Sequence, residues 1–207
     1  IIAMIPSAAS AKTTKYTAGY VAYKNIAPEG VSDGFFTSKT NREKVGSYYF
    51  YSEYSEDDSS STLYCSKSET GKAVKIAKST NTAVVGPNVI VGGGKVYFSM
   101  INYDTRKTMI YRIGTDGKNK KLLKSFKDSS ENYLIRIYNN CLYYLKDSGY
   151  NLNLCKLDLS TLKTSTVLKN VYYNCKFAAN LPGTSSSRYL YFTNGMQTEI
   201  YVFDCKT

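Results

Sequence analysis

Short segments in which apolar and polar residues alternate recur along the chain. Four of them share a similar core: residues 47–50 (SYYF), 95–98 (KVYF), 141–144 (CLYY) and 189–192 (YLYF). The third residues of these cores, Tyr49, Tyr97, Tyr143 and Tyr191, are 48, 46 and 48 residues apart. Because alternation with a period of two is typical of a β-strand, each core predicts a strand at the same point of a repeat.

A second apolar segment follows each core at a similar distance. These segments are residues 63–65 (LYC), 110–112 (IYR), 154–156 (LCK) and 200–202 (IYV), and they recur at intervals of 47, 44 and 46 residues. A fixed period near this length, filled with short strands, is typical of repeat architectures such as β-propellers. The pattern therefore predicts a fold, and it does not specify a ligand.

The second repeat shows the predicted unit most clearly. Strands are predicted at residues 88–91, 95–99, 108–113 and 120–123. Turns are predicted at Gly92-Gly93-Gly94 and at Asp116-Gly117, because glycine adopts positive φ at little cost. A polar loop at residues 102–107 separates the second and third strands. The unit is a four-stranded antiparallel meander, which is one propeller blade.

The other repeats follow the same plan. The third predicts strands at residues 134–138, 141–145, 152–157 and 164–168. The first predicts strands at residues 44–52, 63–67 and 72–77, with a weaker inner strand at 34–37. The fourth predicts strands at residues 176–179, 189–193 and 199–203. We therefore expect an all-β fold, a β-propeller with blades at about residues 34–78, 88–124, 133–169 and 175–207.

The fourth repeat lacks a predicted outer strand after residue 203, and two explanations remain open. The pattern favours a larger propeller of which these repeats are a part. Alternatively, a strand-like stretch at residues 16–23, within the N-terminal segment 12–33, supplies the outer strand of the last blade and closes a four-bladed ring. Such closure would remove exposed sheet edges, which are prone to pairing with other chains.

The N-terminus resembles the remnant of an export signal. Residues 1–5 (IIAMI) are apolar, and Ala9-Ser10-Ala11 has the small-x-small form found before cleavage sites. We therefore predict that residues 1–11 are a signal remnant and that the protein is secreted or lies at the cell surface. No apolar run approaches the ~18 residues of a membrane span.

The five cysteines show none of the spacings typical of metal sites. Cys65, Cys141, Cys155, Cys175 and Cys205 include no C-x-x-C pair, and the chain has no histidine. A disulfide between Cys141 and Cys155 across a hairpin is a minor alternative. We expect the cysteines to act as small apolar residues, and we predict no metal and no cofactor.

The second repeat also carries a family resemblance. Residues 94–98 (GKVYF), 110–113 (IYRI) and 115–122 (TDGKNKKL) resemble bacterial extracytoplasmic β-propeller repeats of uncharacterised function. That family is similar to the YWTD propellers of lipoprotein receptors and to TolB-type propellers. Residues 191–194 (YFTN) stand where the YWTD tetrad would, whereas residues 97–100 (YFSM) keep half of it and residues 143–146 (YYLK) keep little. The resemblance covers residues 34–207 and implies an exported or surface-attached bacterial protein.

Catalysis is disfavoured by the residues present. Without histidine the chain lacks the commonest general base and the imidazole of serine and cysteine triads. The densest acidic group, Glu53, Glu56, Asp57 and Asp58, lies in a serine-rich loop. An extracellular carbohydrate-active enzyme that uses paired carboxylates is therefore an alternative to a non-enzymatic protein.

Binding is the favoured function. In a propeller, the loops between second and third strands and those between blades crowd one face, which we call the loop face. There we predict a binding site for a protein or a glycan, because polar and aromatic loops on a rigid scaffold often carry function. The predicted site residues are Asp57, Asp58, Asn102, Asp104, Arg106, Asp147, Tyr150, Tyr172, Tyr173 and Asn194.

The charge adds a possible class of partner. The net charge is +11, with the densest basic run at Lys118, Lys120, Lys121, Lys124 and Lys127. Basic surfaces attract polyanions in general. For an exported protein an anionic cell-wall polymer is the natural partner, and we expect no nucleic acid, since no recognition motif is present. A structural cell-surface spacer is the remaining alternative.

Overall fold

The computed structural model describes residues 14–17, 39, 42–45, 47–56, 60–80, 83–127, 132–147, 151–172, 177–178, 189–193 and 199–205. Within these residues the chain forms sixteen β-strands and no helix. The strands are β1 (Thr14–Thr17), β2 (Glu43–Val45), β3 (Tyr48–Tyr54), β4 (Ser61–Ser66), β5 (Val74–Lys78), β6 (Ala83–Gly92), β7 (Lys95–Asn102), β8 (Lys107–Gly114), β9 (Lys121–Phe126), β10 (Asn132–Tyr138), β11 (Cys141–Asp147), β12 (Asn151–Asp158), β13 (Thr164–Tyr172), β14 (Phe177–Ala178), β15 (Tyr189–Thr193) and β16 (Glu199–Asp204).

These strands form four antiparallel sheets of four strands each, in agreement with the predicted fold class. Blade 1 is β2-β3-β4-β5, blade 2 is β6-β7-β8-β9, blade 3 is β10-β11-β12-β13, and blade 4 is β1-β16-β15-β14. Two compact units result, one of residues 27–173 with blades 1 to 3, and one of residues 1–26 and 174–207 with blade 4.

Blades 2 and 3 have the predicted strands and tight turns. The β6–β7 turn has Gly93 at φ 56° and Gly94 at φ 68°, and the β10–β11 turn has Asn139 at φ 45° and Asn140 at φ 58°. Two successive positive φ values are what a two-residue hairpin turn requires. Glycine and asparagine tolerate this conformation best, so both repeats turn at the same point with different residues.

Blade 1 departs from the prediction. The expected single strand at residues 44–52 is wrong, because Glu43–Val45 and Tyr48–Tyr54 are separate strands that pair with each other, with Val45 opposite Tyr48. Ser47 lies in the turn between them. The sequence marks this turn with Gly46-Ser47, two residue types that favour turns, and alternation alone did not detect that break. The predicted inner strand at residues 34–37 lies outside the described residues.

Blade 2 is buried on both faces because its side chains alternate. Along β7, Val96, Phe98 and Met100 belong to a core shared with blade 1. Tyr97, between them in sequence, belongs to a core shared with blade 3. The Phe98 ring is fully buried and stacks on Tyr111 with 5.5 Å between ring centroids. Two opposite faces of one sheet thus hold the first three blades together.

Blade 4 is made of strands from both sequence ends of its unit. β1 pairs antiparallel with β16, with Thr14 opposite Val202 and Thr17 opposite Glu199. The N-terminal segment therefore supplies the outer strand of this blade, as the closing-strand alternative proposed, at Thr14–Thr17. Residues 18–23 of that predicted strand lie outside the described part of the chain, as do the predicted signal residues 1–11.

The register separates the two cysteines of the minor disulfide alternative. Cys141 lies opposite Asp158, and Cys155 lies opposite Tyr144. Among the described residues, neither of these cysteines forms a disulfide, and the same holds for Cys65 and Cys205; Cys175 lies outside the described residues. A bridge between Cys141 and Cys155 is therefore wrong, because residues three strand positions out of register cannot join without moving the backbone.

Candidate binding sites at the two ends of the blades

The predicted loop face corresponds to one end of each sheet. In blade 2 this end carries the β7–β8 loop, and Asn102 before it lies opposite Ala83, the first residue of β6. In blade 3 it carries Asp147 at the end of β11, and Tyr172 at the end of β13 lies opposite Asn151. The loops between second and third strands thus lie at the end where the chain passes to the next blade.

The predicted site residues are described unevenly. The structure describes the side chains of Asn102, Asp104, Arg106 and Asp147, and it describes Tyr172 as the last residue of β13. The predicted residues Asp57, Asp58, Tyr150, Tyr173 and Asn194 lie outside the described residues. Within its described part, the chain brings three predicted residues onto one loop of blade 2 and two, Asp147 and Tyr172, onto the equivalent end of blade 3.

The β7–β8 loop is held in shape by its own hydrogen bonds. The Asn102 Oδ1 atom accepts hydrogen bonds from the backbone N–H and the Oγ1 hydroxyl of Thr105, both at 2.8 Å. The Arg106 N–H donates to the Tyr103 carbonyl at 3.3 Å, with Arg106 at φ 48°. Asparagine that caps a turn in this way fixes the backbone, so the exposed Asp104 and Arg106 side chains project from a defined loop.

Two exposed tyrosines on the same face were missed by sequence reasoning. Tyr54, the last residue of β3, is 68% exposed, and Tyr103, the first residue after β7, is 52% exposed. The loop after Tyr54 is closed by the Ser55 N–H donating to the Ser60 carbonyl at 2.8 Å. In two successive repeats, an aromatic residue lies at or just after the end of the second strand. That recurrence in the sequence could have identified both tyrosines.

Of the acidic residues of the blade 1 loop, the structure describes Glu53 and Glu56. Glu53 contacts Lys39, with 4.0 Å between a carboxylate oxygen and the ammonium nitrogen. Asp57 and Asp58 lie outside the described residues. Among the residues that are described, no group of three acidic or cysteine side chains could hold a metal ion.

A cavity of about 620 Å³ lies at the opposite end of the blades, between blades 1 and 2. We call it the inter-blade cleft. It is lined by residue 48, residues 65–68, 71, 72 and 74 of blade 1, and residues 94, 95, 114–116 and 119 of blade 2. The strand turns at this end therefore carry a concavity, and sequence reasoning placed no site there.

Contacts between the two blades shape the cleft. The Thr115 hydroxyl donates a hydrogen bond to the Tyr48 hydroxyl at 3.4 Å. The turn at Gly117 approaches blade 1 so closely that an added Cβ would lie 2.8 Å from the Lys75 carbonyl oxygen. Gly117 has φ 75°, so it meets both demands of this position, positive φ and the absence of a side chain.

Arg42 organises the blade 1 wall of the cleft. Its guanidinium donates to the Ser66 hydroxyl at 2.8 Å, to the Ser68 carbonyl at 3.2 Å and to the Gly71 carbonyl at 2.8 Å. The guanidinium carbon lies 4.8 Å from the centroid of the Tyr51 ring. A planar cation with several donors suits this dual role, and it holds the β4–β5 turn in place.

The charge of the cleft is positive. Three lysines line it, Lys67, Lys72 and Lys95, against one carboxylate, that of Asp116. The Asp116 Oδ1 atom accepts the Lys118 backbone N–H at 3.0 Å, so this carboxylate is turned toward its own turn. Cys65 also lines the cleft. Burial raises the pKa of its thiol to about 12, so the thiol stays protonated and unreactive at neutral pH.

The predicted basic run lies partly within the sheet. The Lys120 ammonium lies 4.5 Å from the centroid of the Tyr111 ring and 5.7 Å from that of Phe98. Burial lowers the pKa of Lys120. Lys121 and Lys127 are exposed. Lys120 thus packs over aromatic rings and, like Lys118, Lys121 and Lys127, remains exposed.

No known protein family and no curated protein sequence matches the chain. Solved structures do match. Oligogalacturonate lyase in complex with manganese is 11% identical, with a TM-score of 0.53 over 72% of this chain and 46% of the lyase. Prolyl oligopeptidase B from Galerina marginata is 12% identical, with a TM-score of 0.51 over 77% of this chain and 24% of the peptidase. A chain of a nidogen/laminin complex is 11% identical, with a TM-score of 0.43 over 77% of this chain and 72% of that chain.

These likenesses concern the fold alone, since identities of 11–12% carry no information about activity. The chain spans about half the length of the lyase and about a quarter of the length of the peptidase. Together with the four sheets described above, the comparisons show that the chain is an all-β protein of four-stranded antiparallel blades of the propeller type.

Proposed function

We propose that this protein is a non-enzymatic binding module whose loop face contacts a protein or a glycan. The observation that carries the proposal is a pair of exposed tyrosines, one beside the loop between the second and third strands of blade 1 and one beside the same loop of blade 2. Tyr54 is the last residue of β3 and Tyr103 is the first residue after β7, and each lies beside a loop closed by hydrogen bonds. Exposed aromatic rings on fixed backbone lose little conformational entropy on binding, which favours them as contact residues.

Polar groups next to Tyr103 support the same proposal. Asp104 and Arg106 are exposed on the loop that Asn102 braces. A ring flanked by a carboxylate and a guanidinium offers both apolar and directed polar contacts, which protein and glycan ligands require. Arg106 can bind a carboxylate through two parallel hydrogen bonds.

The proposal places the protein outside the cytoplasm, secreted or at the cell surface, as the signal-like residues 1–11 favour. There its net charge of +11 would add a salt-sensitive attraction to anionic cell-wall polymer. Among the described residues, none belongs to a helix long and apolar enough to cross a bilayer.

The test screens the full 207-residue chain against a glycan array and a panel of extracellular proteins, at low and high salt. A binding signal that persists at high salt is then measured for a double variant, Tyr103→Ala with Arg106→Glu. We expect an affinity loss of roughly tenfold or more, because aromatic and arginine contacts dominate interface energy.

Leu122→Ala serves as the matched control. Leu122 is also an exposed hydrophobic residue, at 46%, but it lies on the outer strand β9 away from the loop face. Its replacement should leave affinity unchanged while the fold, followed by thermal unfolding, stays intact in both variants. If only salt-sensitive polyanion binding is found, the protein is a spacer and the proposal is wrong.

A further inference from the structure

The inter-blade cleft is separate from the loop face and serves no role in the function proposed above. It lies at the opposite end of blades 1 and 2, where the β4–β5, β6–β7 and β8–β9 turns meet. Its volume of about 620 Å³ falls within the ~300–1,000 Å³ typical of small-molecule sites. Size and concavity therefore suit a ligand of small-molecule dimensions.

Three lysines from two turns line the cleft. Lys67 and Lys72 flank the β4–β5 turn, and Lys95 follows the β6–β7 turn. In the part of the chain that the structure describes, none of these ammonium groups pairs with a carboxylate. With Asp116 as the one carboxylate in the lining, the three like charges still repel one another, and an oxyanion between them relieves that repulsion through charge-assisted hydrogen bonds.

The other residues that line the cleft suit a ligand with hydroxyl groups better than an apolar ligand. Tyr48 and Thr115 present hydroxyl groups joined by a hydrogen bond of 3.4 Å, and Asn119 adds an amide. The half-buried Tyr48 ring and Val74 supply a small apolar wall. A few convergent polar groups beside an aromatic face are typical of saccharide and other polar small-molecule sites.

The blade 1 wall is prebuilt. The Arg42 Nη1 group donates to Ser66, Ser68 and Gly71, so the turn that carries Lys67 and Lys72 is braced without ligand. The Asp116 carboxylate caps its own turn, which reduces its repulsion of an incoming anion. Preorganised cations lower the entropic cost of binding.

We propose that the inter-blade cleft binds an acidic saccharide unit, with its carboxylate or phosphate among Lys67, Lys72 and Lys95 and its hydroxyl groups toward Tyr48 and Asn119. The site is independent of the loop face, so either can fail without the other. The chemistry that the candidate ligands share is an oxyanion on a polyhydroxylated ring. Uronates and sugar phosphates both have this chemistry.

The experiment is calorimetric titration of the full chain with four probes: glucuronate, glucose 6-phosphate, glucose and inorganic phosphate. We expect at least one of the two charged sugars to bind and to do so more tightly than both glucose and phosphate alone. A preference for glucuronate identifies a carboxylate site, and a preference for glucose 6-phosphate identifies a phosphate site. Equal binding of phosphate and the charged sugars, or no binding of either charged sugar, would overturn the proposal.

Charge-reversal variants locate the site. Lys67→Glu with Lys72→Glu and Lys95→Glu should weaken binding of the preferred sugar by about tenfold or more, because each lysine supplies a charge-assisted contact. The control, Lys127→Glu with Lys163→Glu and Lys169→Glu, changes the net charge equally at exposed residues outside the cleft. Equal losses in both would show a bulk charge effect and contradict the proposal.

Lys95 is only half-buried at the start of β7, and its reversal could disturb the fold. The double variant Lys67→Glu with Lys72→Glu affects exposed side chains only. It should keep the thermal unfolding midpoint of the native protein and still lose most of the affinity. Unchanged affinity in this folded variant would exclude the cleft as the site.

Discussion

The Thr115 hydroxyl donates a hydrogen bond of 3.4 Å to the Tyr48 hydroxyl, across the boundary between blades 2 and 1. The two residues are 67 positions apart in the sequence. Their contact lies at the rim of the inter-blade cleft, above the core that Phe98 and Phe50 share. Blades 1 and 2 therefore contact each other in two ways: through buried apolar side chains, which include Phe50 and Phe98, and through the hydrogen bond between the Thr115 and Tyr48 hydroxyl groups.

Gly117→Ala should destabilise the protein more than Gly94→Ala. Both glycines have positive φ, 75° and 68°, so each substitution incurs the left-handed cost of about 1–2 kcal/mol. At Gly117 the new Cβ also meets the Lys75 carbonyl oxygen at 2.8 Å, whereas at Gly94 nothing lies within 4 Å. Urea unfolding at 25 °C measures both free energies of unfolding. Equal losses would show that the Gly117 turn does not press on blade 1.

Phe98→Ala should lower the free energy of unfolding by about 3–5 kcal/mol, since it empties a fully buried site between blades 1 and 2. Leu122→Ala, at a residue that is 46% exposed, should change it by less than about 0.5 kcal/mol. If the larger variant does not fold, Phe98→Leu provides a milder comparison. Similar effects at the two positions would contradict the shared core.

Arg42→Lys should weaken the β4–β5 turn. Lysine cannot reproduce the three hydrogen bonds to Ser66, Ser68 and Gly71, so we expect a loss of about 1–3 kcal/mol. Faster amide exchange at Gly71 would localise the effect, because its N–H donates to the Ser68 carbonyl at 3.3 Å. Lys39→Ala is the control.

That control removes only an exposed contact with Glu53 at 4.0 Å, and such surface pairs contribute about 0–1 kcal/mol. Its amide exchange at Gly71 should match that of the native protein. A loss in Arg42→Lys no larger than in Lys39→Ala would mean that the arginine does not brace the turn.

Cys65 should resist alkylation in the native protein. Burial raises the pKa of its thiol from 9.0 to about 12, so almost no thiolate forms at pH 8, and the thiolate is the reactive species. Iodoacetamide at pH 8, followed by peptide mass spectrometry, should modify Cys65 only after urea unfolding. Rapid native labelling would contradict its burial.

The same thiol makes stability depend on alkaline pH. Because the folded pKa lies above the unfolded value, its contribution is fully present below pH 9 and is lost as the pH rises toward about 12. Urea midpoints at pH 8 and pH 11 should therefore fall further for the native protein than for Cys65→Ala, in which this thiol is absent. An equal fall in both would exclude the contribution.

The strands and turns of blades 2 and 3 could be predicted because they depend on neighbouring residues. Alternation around Tyr97 and Tyr143 identified β7 and β11, and the glycines at 93 and 94 identified the turn between β6 and β7. In blade 1 the same reasoning merged β2 with β3, since alternation alone gave no weight to the Gly46-Ser47 break before Tyr48.

The sequence by itself determined the all-β repeat, the positions of most strands and the loops that carry Asn102 and Arg106, because these follow from spacings within one repeat. Only the tertiary structure decided that Tyr103 is exposed and that Lys67 and Lys95 line one cleft. Exposure and convergence depend on how one blade packs against the next. That packing brings together side chains from different repeats, which no local pattern encodes.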